Sequence, residues 1–222
     1  MNRNSGMSLV EVMIVMAIFA LMVLVINGVI ISAQNLWSSS SIFSTLEDEA
    51  LRVSRQIAGD LEKSAVMHVP SGTGLSYTDL LPHITETGGN DDDGYFGDNI
   101  TFLTPSFDSN GQPGLYVTSS VIDVDWVNGV VISFSIATVG SKKVIRRSSY
   151  DVGDISSLES IDLTNNVISM TFRDKDTDPQ LPYYIVKWSF VLQRIGIAKR
   201  TYTVQRNGEV FLRNSRGSED LY

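Results

Sequence analysis

The sequence predicts an α+β protein: a long N-terminal helix whose first half is membrane-spanning, followed by an antiparallel β-meander. Three observations carry this. From Val12 to Ile26 every residue is apolar or Ala, and no charged residue occurs between Glu11 and Glu47. Further on, Phe43, Leu46, Ala50, Leu51, Ile57 and Leu61 recur at helical spacing, with charged and amide residues filling the remaining circumference. From Asn99 onward, β-branched and aromatic runs alternate with turn signals.

The apolar segment comes first. A run from Leu9 to about Ile31 is long enough, as a helix, to cross roughly 30 Å of hydrocarbon. Arg3 on its N-terminal side favours an amino terminus in the cytoplasm and the remainder outside. A secretory signal peptide has an apolar core of about 7–15 residues. Ile31-Ser32-Ala33 would suit its cleavage site, but the core here is too long. A plain membrane anchor leaves Glu11 unexplained, because an ionisable group in the bilayer costs up to a few kcal/mol and marks a functional position.

Gly6 followed by Met7-Ser8-Leu9-Val10-Glu11, set ahead of an unbroken apolar helix, resembles the prepilin processing motif of type IV pilins and type II secretion pseudopilins. The resemblance covers about 30 of the 222 residues. It implies that residues 1–6 are a leader, that a membrane peptidase cuts between Gly6 and Met7, and that Met7 is then N-methylated. It also implies that Glu11 pairs with the terminal amine of a neighbouring subunit. Met7 departs from the Phe usual in the family at the first mature position. Residues 7–33 would form the transmembrane and assembly helix. Residues 34–222 would form a pilin-like, β-rich domain outside the cytoplasm that includes the amphipathic half of the helix, 34–65. The implied partners are other pilin or pseudopilin subunits, prepilin peptidase and the bacterial cytoplasmic membrane.

The second half of the helix is interrupted by polar residues. Ser38-Ser39-Ser40-Ser41 reads as a linker in isolation, and Ser44 with Glu47 fits a capping box. The helix either continues from Met7 to about Ala65, roughly 90 Å at 1.5 Å per residue, or breaks near the serines. Residues 70–99, with Pro70, Pro82 and six glycines, predict long loops.

The predicted strands are Ile100–Thr104, Leu115–Thr118, Val121–Trp126, Val130–Val139, Lys142–Tyr150, Val167–Arg173, Ile185–Arg194, Lys199–Gln205 and Glu209–Leu212. Asn128-Gly129 and Asn207-Gly208 predict type I′ hairpin turns, and Gly140-Ser141 a third tight turn. Val167–Arg173, then Leu181-Pro182 and a further strand, is similar to the C-terminal order of the larger J-class minor pseudopilins and of W-like minor pilins.

Composition narrows the function. Hydrophobic residues make up 43% and aromatic residues 9%, as in an ordered chain. With 17 Lys+Arg against 25 Asp+Glu, the net charge is −8, which argues against a general nucleic-acid binder. Cys is absent, excluding disulfides, thiol catalysis and Cys-ligated metals. His68 and His83 lie in no ligand spacing, and neither a Gly-x-Ser-x-Gly elbow nor a phosphate loop occurs. The expectation is a structural subunit, not an enzyme, with no cofactor required. The alternative is a single-pass anchored β-domain that binds a ligand or adheres outside any filament.

Two acidic clusters are calcium candidates: Asp91, Asp92, Asp93 and Asp98 in the Gly-rich stretch, and Asp174, Asp176 and Asp178 further on. The second opens like a calcium loop, but Pro179 replaces the Gly and Ile185 the Glu that an EF-hand needs. A solvated acidic loop is the simpler reading of both. Charge is also uneven. Between Lys63 and Lys142 lie nine acids and no Lys or Arg, whereas seven bases and three acids follow from Lys187 onward. That asymmetry suits electrostatic docking between unlike subunits, or neutralisation within one domain. DNA binding would need a continuous basic stripe, with Trp188 or Tyr202 for stacking. Strand alternation instead sends Arg146 and Arg147 to opposite faces.

Overall fold

The computed structural model describes residues 8–64, 83–85, 97–109, 112–117, 122–126, 128–174, 180–182, 185–196 and 199–212. Among the described residues, a single helix, α1 (Leu9–Leu61), is followed by ten strands: β1 (His83–Thr85), β2 (Asn99–Thr104), β3 (Leu115–Val117), β4 (Ile122–Val124), β5 (Val130–Val139), β6 (Lys142–Asp151), β7 (Asp154–Thr164), β8 (Val167–Arg173), β9 (Ile185–Ile195) and β10 (Thr201–Phe211). The α+β class is as the sequence predicts. The strands, however, form more than one sheet: a five-stranded sheet ordered β1-β2-β5-β6-β7, a three-stranded sheet ordered β10-β9-β8, and the pair β3-β4.

The helix does not break at the serines. Ser39 Oγ donates to the Asn35 carbonyl at 2.7 Å, and Thr45 Oγ1 donates to that of Ser41 at 2.8 Å. Hydroxyls that bond one turn back leave the helical ladder intact, so the Ser44–Glu47 capping box is not used.

By compactness the chain divides into two units. The first comprises Met1–Thr45 with Ile195–Tyr202. Within it, the Tyr202 hydroxyl donates to Ser39 Oγ at 2.6 Å. Gly196 lies so close to Tyr202 and Ile42 that an added Cβ would meet them at 2.6 and 2.8 Å, which explains the glycine there.

The second unit comprises Leu46–Arg194 with Thr203–Tyr222. Its helical stripe is Leu46, Ala50, Val53, Ile57 and Leu61, all fully buried. This corrects the predicted stripe, whose first member, Phe43, is exposed. Leu51 is exposed and Val53 buried, because residues 46, 50, 53, 57 and 61 follow the 3.6-residue period more closely. The sheet side of the core comes from alternation. Ile100 pairs with Phe134, and Phe134 with Arg147. Cross-strand partners share a face, so Arg147 lies on the same side as the buried Ile100 and Phe134. Phe102 stacks on Phe134 at 6.2 Å.

Arg147 reaches the helix. Its Nε donates to Asp60 Oδ2 at 2.7 Å, and Gln56 Nε2 donates to the same oxygen at 2.8 Å. Asp60 is only 3% exposed. A second polar clamp forms around Glu49, which accepts from Arg194 at 2.7 Å, Asn166 at 2.8 Å and Thr164 at 3.1 Å. Arg206 pairs with Glu47.

On the opposite face of the five-stranded sheet, Arg146 forks onto Asp162, with Nε at 2.7 Å and a terminal nitrogen at 3.2 Å. Hydrogen bonding by Arg146 holds the Asp162 carboxyl below its usual range, and Asp162 in turn raises Arg146. A depressed carboxyl stabilises the fold above its unfolded pKa, and that contribution is lost as pH falls through the folded value. We therefore expect a carboxylate NMR titration to place the Asp162 midpoint below that of free aspartate, and Arg146→Gln to return it. An unchanged midpoint in the variant would refute the pairing. Because the pair is exposed, its effect on overall stability is small.

Three local predictions need correction. Asn128-Gly129 joins no hairpin: β4 pairs with β3, whereas β5 pairs with β2 and β6. Gly129 is needed because an added Cβ would lie 2.3 Å from the Thr104 carbonyl oxygen, and Asn128 bonds to Asp125. Asn207-Gly208 lies inside β10, where the Trp188 ring covers Gly208 and leaves no room for a side chain. β7 is a strand where none is predicted, and the short β1 lies within the stretch predicted as loops. Only the Gly140-Ser141 turn joins its strands as predicted, with Gly140 at φ 62° between β5 and β6.

Candidate assembly site

The site at the start of α1 is built from its own sequence. Ser8, the residue before the helix, has its backbone N–H donated to Glu11 Oε2 at 2.9 Å, and the Glu11 N–H is donated to Ser8 Oγ at 3.3 Å. This reciprocal arrangement is a capping box. It satisfies two backbone donors that a helix start otherwise leaves open, and the carboxylate sits where the helix dipole favours negative charge. The signal is present in the sequence as Ser8-x-x-Glu11, so Glu11 has a capping role beside the intersubunit one that the resemblance implies. Gly6 and Met7 lie outside the described residues.

Beyond the cap, the helix presents exposed apolar side chains all round, including Leu9, Met13, Phe19, Leu24 and Ile31. It is long and apolar enough to cross a membrane. A helix apolar on every face suits surroundings that are apolar on every side, either lipid or other helices of the same kind.

The calcium candidates are only partly described. Asp91, Asp92, Asp93, Asp176 and Asp178 lie outside the described residues. Asp98 follows Gly97, whose backbone is bridged to Phe172, and Asp174 follows β8 and is buried. That bridge is antiparallel, so Asp98 and Asp174 leave it in opposite directions. Among the described residues, no group of three or more His, Cys, Asp or Glu side chains is placed to hold a metal. His83 is in β1, and His68 lies outside the described residues.

The C-terminal bases are partly neutralised within the second unit, since Arg194 and Arg206 pair with Glu49 and Glu47. Their partners come from the helix and not from the acidic stretch between Lys63 and Lys142. Arg146 and Arg147 do go to opposite faces, one to Asp162 and the other to Asp60. Trp188 is buried against Phe190 at 5.6 Å, and the Tyr202 hydroxyl is engaged by Ser39.

Together these features describe an α+β chain whose long apolar helix, with a self-capped acidic start, fits a membrane anchor. Residues 1–27 match the family described as the prokaryotic N-terminal methylation motif, which supports the type IV pilin-like resemblance. No curated protein and no solved structure matches the chain.

Proposed function

We propose that this chain is a minor pilin or pseudopilin, a structural subunit that initiates, caps or decorates a type II secretion pseudopilus or a type IV pilus. The observation that carries the reading is the methylation motif over residues 1–27, running directly into an apolar helix. Prepilin peptidase cuts between Gly6 and Met7, and the new terminus at Met7 is methylated. Glu11 pairs with the amine of an adjacent subunit, while the β-rich part lies outside the cytoplasmic membrane. The hairpin β8–β9 followed by β10 supports a J-class or W-like minor subunit. The role is assembly and not catalysis.

The test is the N-terminal mass of the protein recovered from its native membrane. A chain beginning at Met7 with one added methyl group is the expected result. A chain beginning at Met1 is what an anchored β-domain outside any filament would give, and it would overturn the proposal. So would one beginning at Gln34, as after removal of a signal peptide.

A further inference from the structure

We propose that the end of the β9–β10 hairpin docks on the headgroups of anionic phospholipids, at the surface of the membrane that α1 crosses. The inference rests on reading α1 as a membrane anchor, and not on filament assembly. Ile195–Tyr202 falls in the same compact unit as Met1–Thr45, and two contacts fix it to the helix. The Tyr202 hydroxyl donates to Ser39 Oγ, and Gly196 lies against Ile42. Ser39 stands eight residues beyond Ile31, where the apolar run ends, about 12 Å along the helix axis. Headgroups occupy roughly the first 5–8 Å of that distance. The remainder is within one Debye length, about 8 Å at physiological salt.

The hairpin end carries the charge that such a surface attracts. The Gly196 N–H donates to the Arg200 carbonyl at 2.8 Å, closing the turn, and Lys199 and Arg200 are both exposed. Neither takes part in an ion pair among the described residues. They are the only cations among the described residues of this unit, and its one acid, Glu11, lies at the far end of the apolar run. Lys199 is also the one described residue other than Gly at positive φ, 58°. Few side chains adopt that conformation, and a base held where glycine would be unstrained is a backbone cost of the kind that binding sites carry.

Apolar groups accompany the bases. Ile195 is 69% exposed, and Trp37, 80% exposed, stands about 9 Å beyond Ile31. Trp37 is two residues before Ser39 and so on the opposite side of α1. An exposed Trp at that height matches the aromatic belt of a membrane helix. Bases with adjoining apolar side chains bind anionic interfaces through both charge and buried area. Because the helix fixes their height, the two bases stay within reach of headgroups whenever α1 is inserted. That continuity selects lipid over an acidic protein, which would need a separate encounter.

The experiment uses the full chain reconstituted into vesicles, with a fluorophore on Ile195→Cys; the chain itself has no Cys. Spin-labelled headgroups quench a fluorophore that lies at the surface. We expect quenching in vesicles of phosphatidylcholine and phosphatidylglycerol. The ratio of surface-bound to free label should fall about thirtyfold in the double variant Lys199→Gln with Arg200→Gln, since each base at an anionic surface contributes about fivefold. Lys142→Gln with Lys143→Gln removes the same charge from exposed residues of the second unit and should leave quenching unaltered, with circular dichroism confirming that both variants fold. Equal quenching in phosphatidylcholine alone overturns the proposal, as does an equal loss in the Lys142 and Lys143 variant. Release of the label by free glycerol phosphate at the lipid's concentration would assign the bases to a lone phosphate and also overturn it. Flotation reads the anchor separately. A chain that floats with its label unquenched defeats this inference alone, and one that does not float defeats the membrane reading with it.

Discussion

Replacing Arg147 with alanine should lower the stability of the β-rich unit by about 3–5 kcal/mol, the usual effect of breaking a buried ion pair from one side. Asp60 is almost wholly buried and accepts both Arg147 and Gln56 through one carboxylate oxygen. Lys63, 3.8 Å from the other oxygen and half exposed, is too distant and too solvated to compensate. Without Arg147 the carboxylate keeps a single close donor in a site that water scarcely reaches. The double variant Arg147→Met with Asp60→Leu should recover much of the loss, because an apolar pair of similar size leaves no buried charge behind. Urea unfolding of the chain in micelles, followed by the fluorescence of the buried Trp126 and Trp188, measures both effects. A single variant within about 0.5 kcal/mol of the parent would show that Asp60 does not depend on Arg147.

The second large effect belongs to Glu11 and rests on the proposed filament role. Glu11→Ala should leave membrane insertion and removal of residues 1–6 unchanged. It should reduce incorporation into filaments by about a hundredfold, as the loss of roughly 3 kcal/mol from a desolvated ion pair implies. Glu11→Gln separates two functions. Its amide oxygen still accepts the Ser8 N–H, so the cap persists, but the charge is gone. Incorporation should therefore be nearly as poor for Gln as for Ala. Quantitative immunoblotting of sheared filaments against the membrane fraction reads the ratio. If Gln restored incorporation, capping and not charge pairing would be the role of Glu11.

The parts of the fold that depend on local pattern were legible. The apolar block, the acid ahead of it and the strong strands Val130–Val139 and Lys142–Asp151 with Gly140 between them all follow from spacing and turn chemistry. β7 was not legible. In Asp154–Thr164 the apolar residues Ile155, Leu158 and Ile161 do not keep a two-residue period, and the pairing with β6 is bulged at two points. The exposed side chains along it leave no core-facing alternation to detect. Asn207-Gly208 misled for another reason: the glycine answers to the Trp188 ring, a tertiary neighbour, and not to a turn.

The site divides in the same way. Glu11 could be singled out because a charge beside an apolar block is conspicuous in one dimension. The Asp60–Arg147 pair is 87 positions apart in the chain, and the Glu49 clamp draws Thr164, Asn166 and Arg194 from 115 to 145 positions away. Neither leaves a mark on sequence spacing. The charge asymmetry was visible, but which bases were already engaged was not. Glu47 and Glu49 hold Arg206 and Arg194 from a helix that the asymmetry did not include.

The pairing of Ser8 with Glu11 also fixes what a cut at Gly6–Met7 changes and what it leaves alone. The nitrogen that Ser8 offers to the carboxylate belongs to the Met7–Ser8 peptide bond, so it remains an uncharged amide in the longer and the shortened chain alike. Scission one bond later would turn that nitrogen into an ammonium lying against its own carboxylate, and the acid would be quenched by the molecule that carries it. Under the proposed cut, the bond that caps the helix is therefore one that removal of residues 1–6 leaves in place.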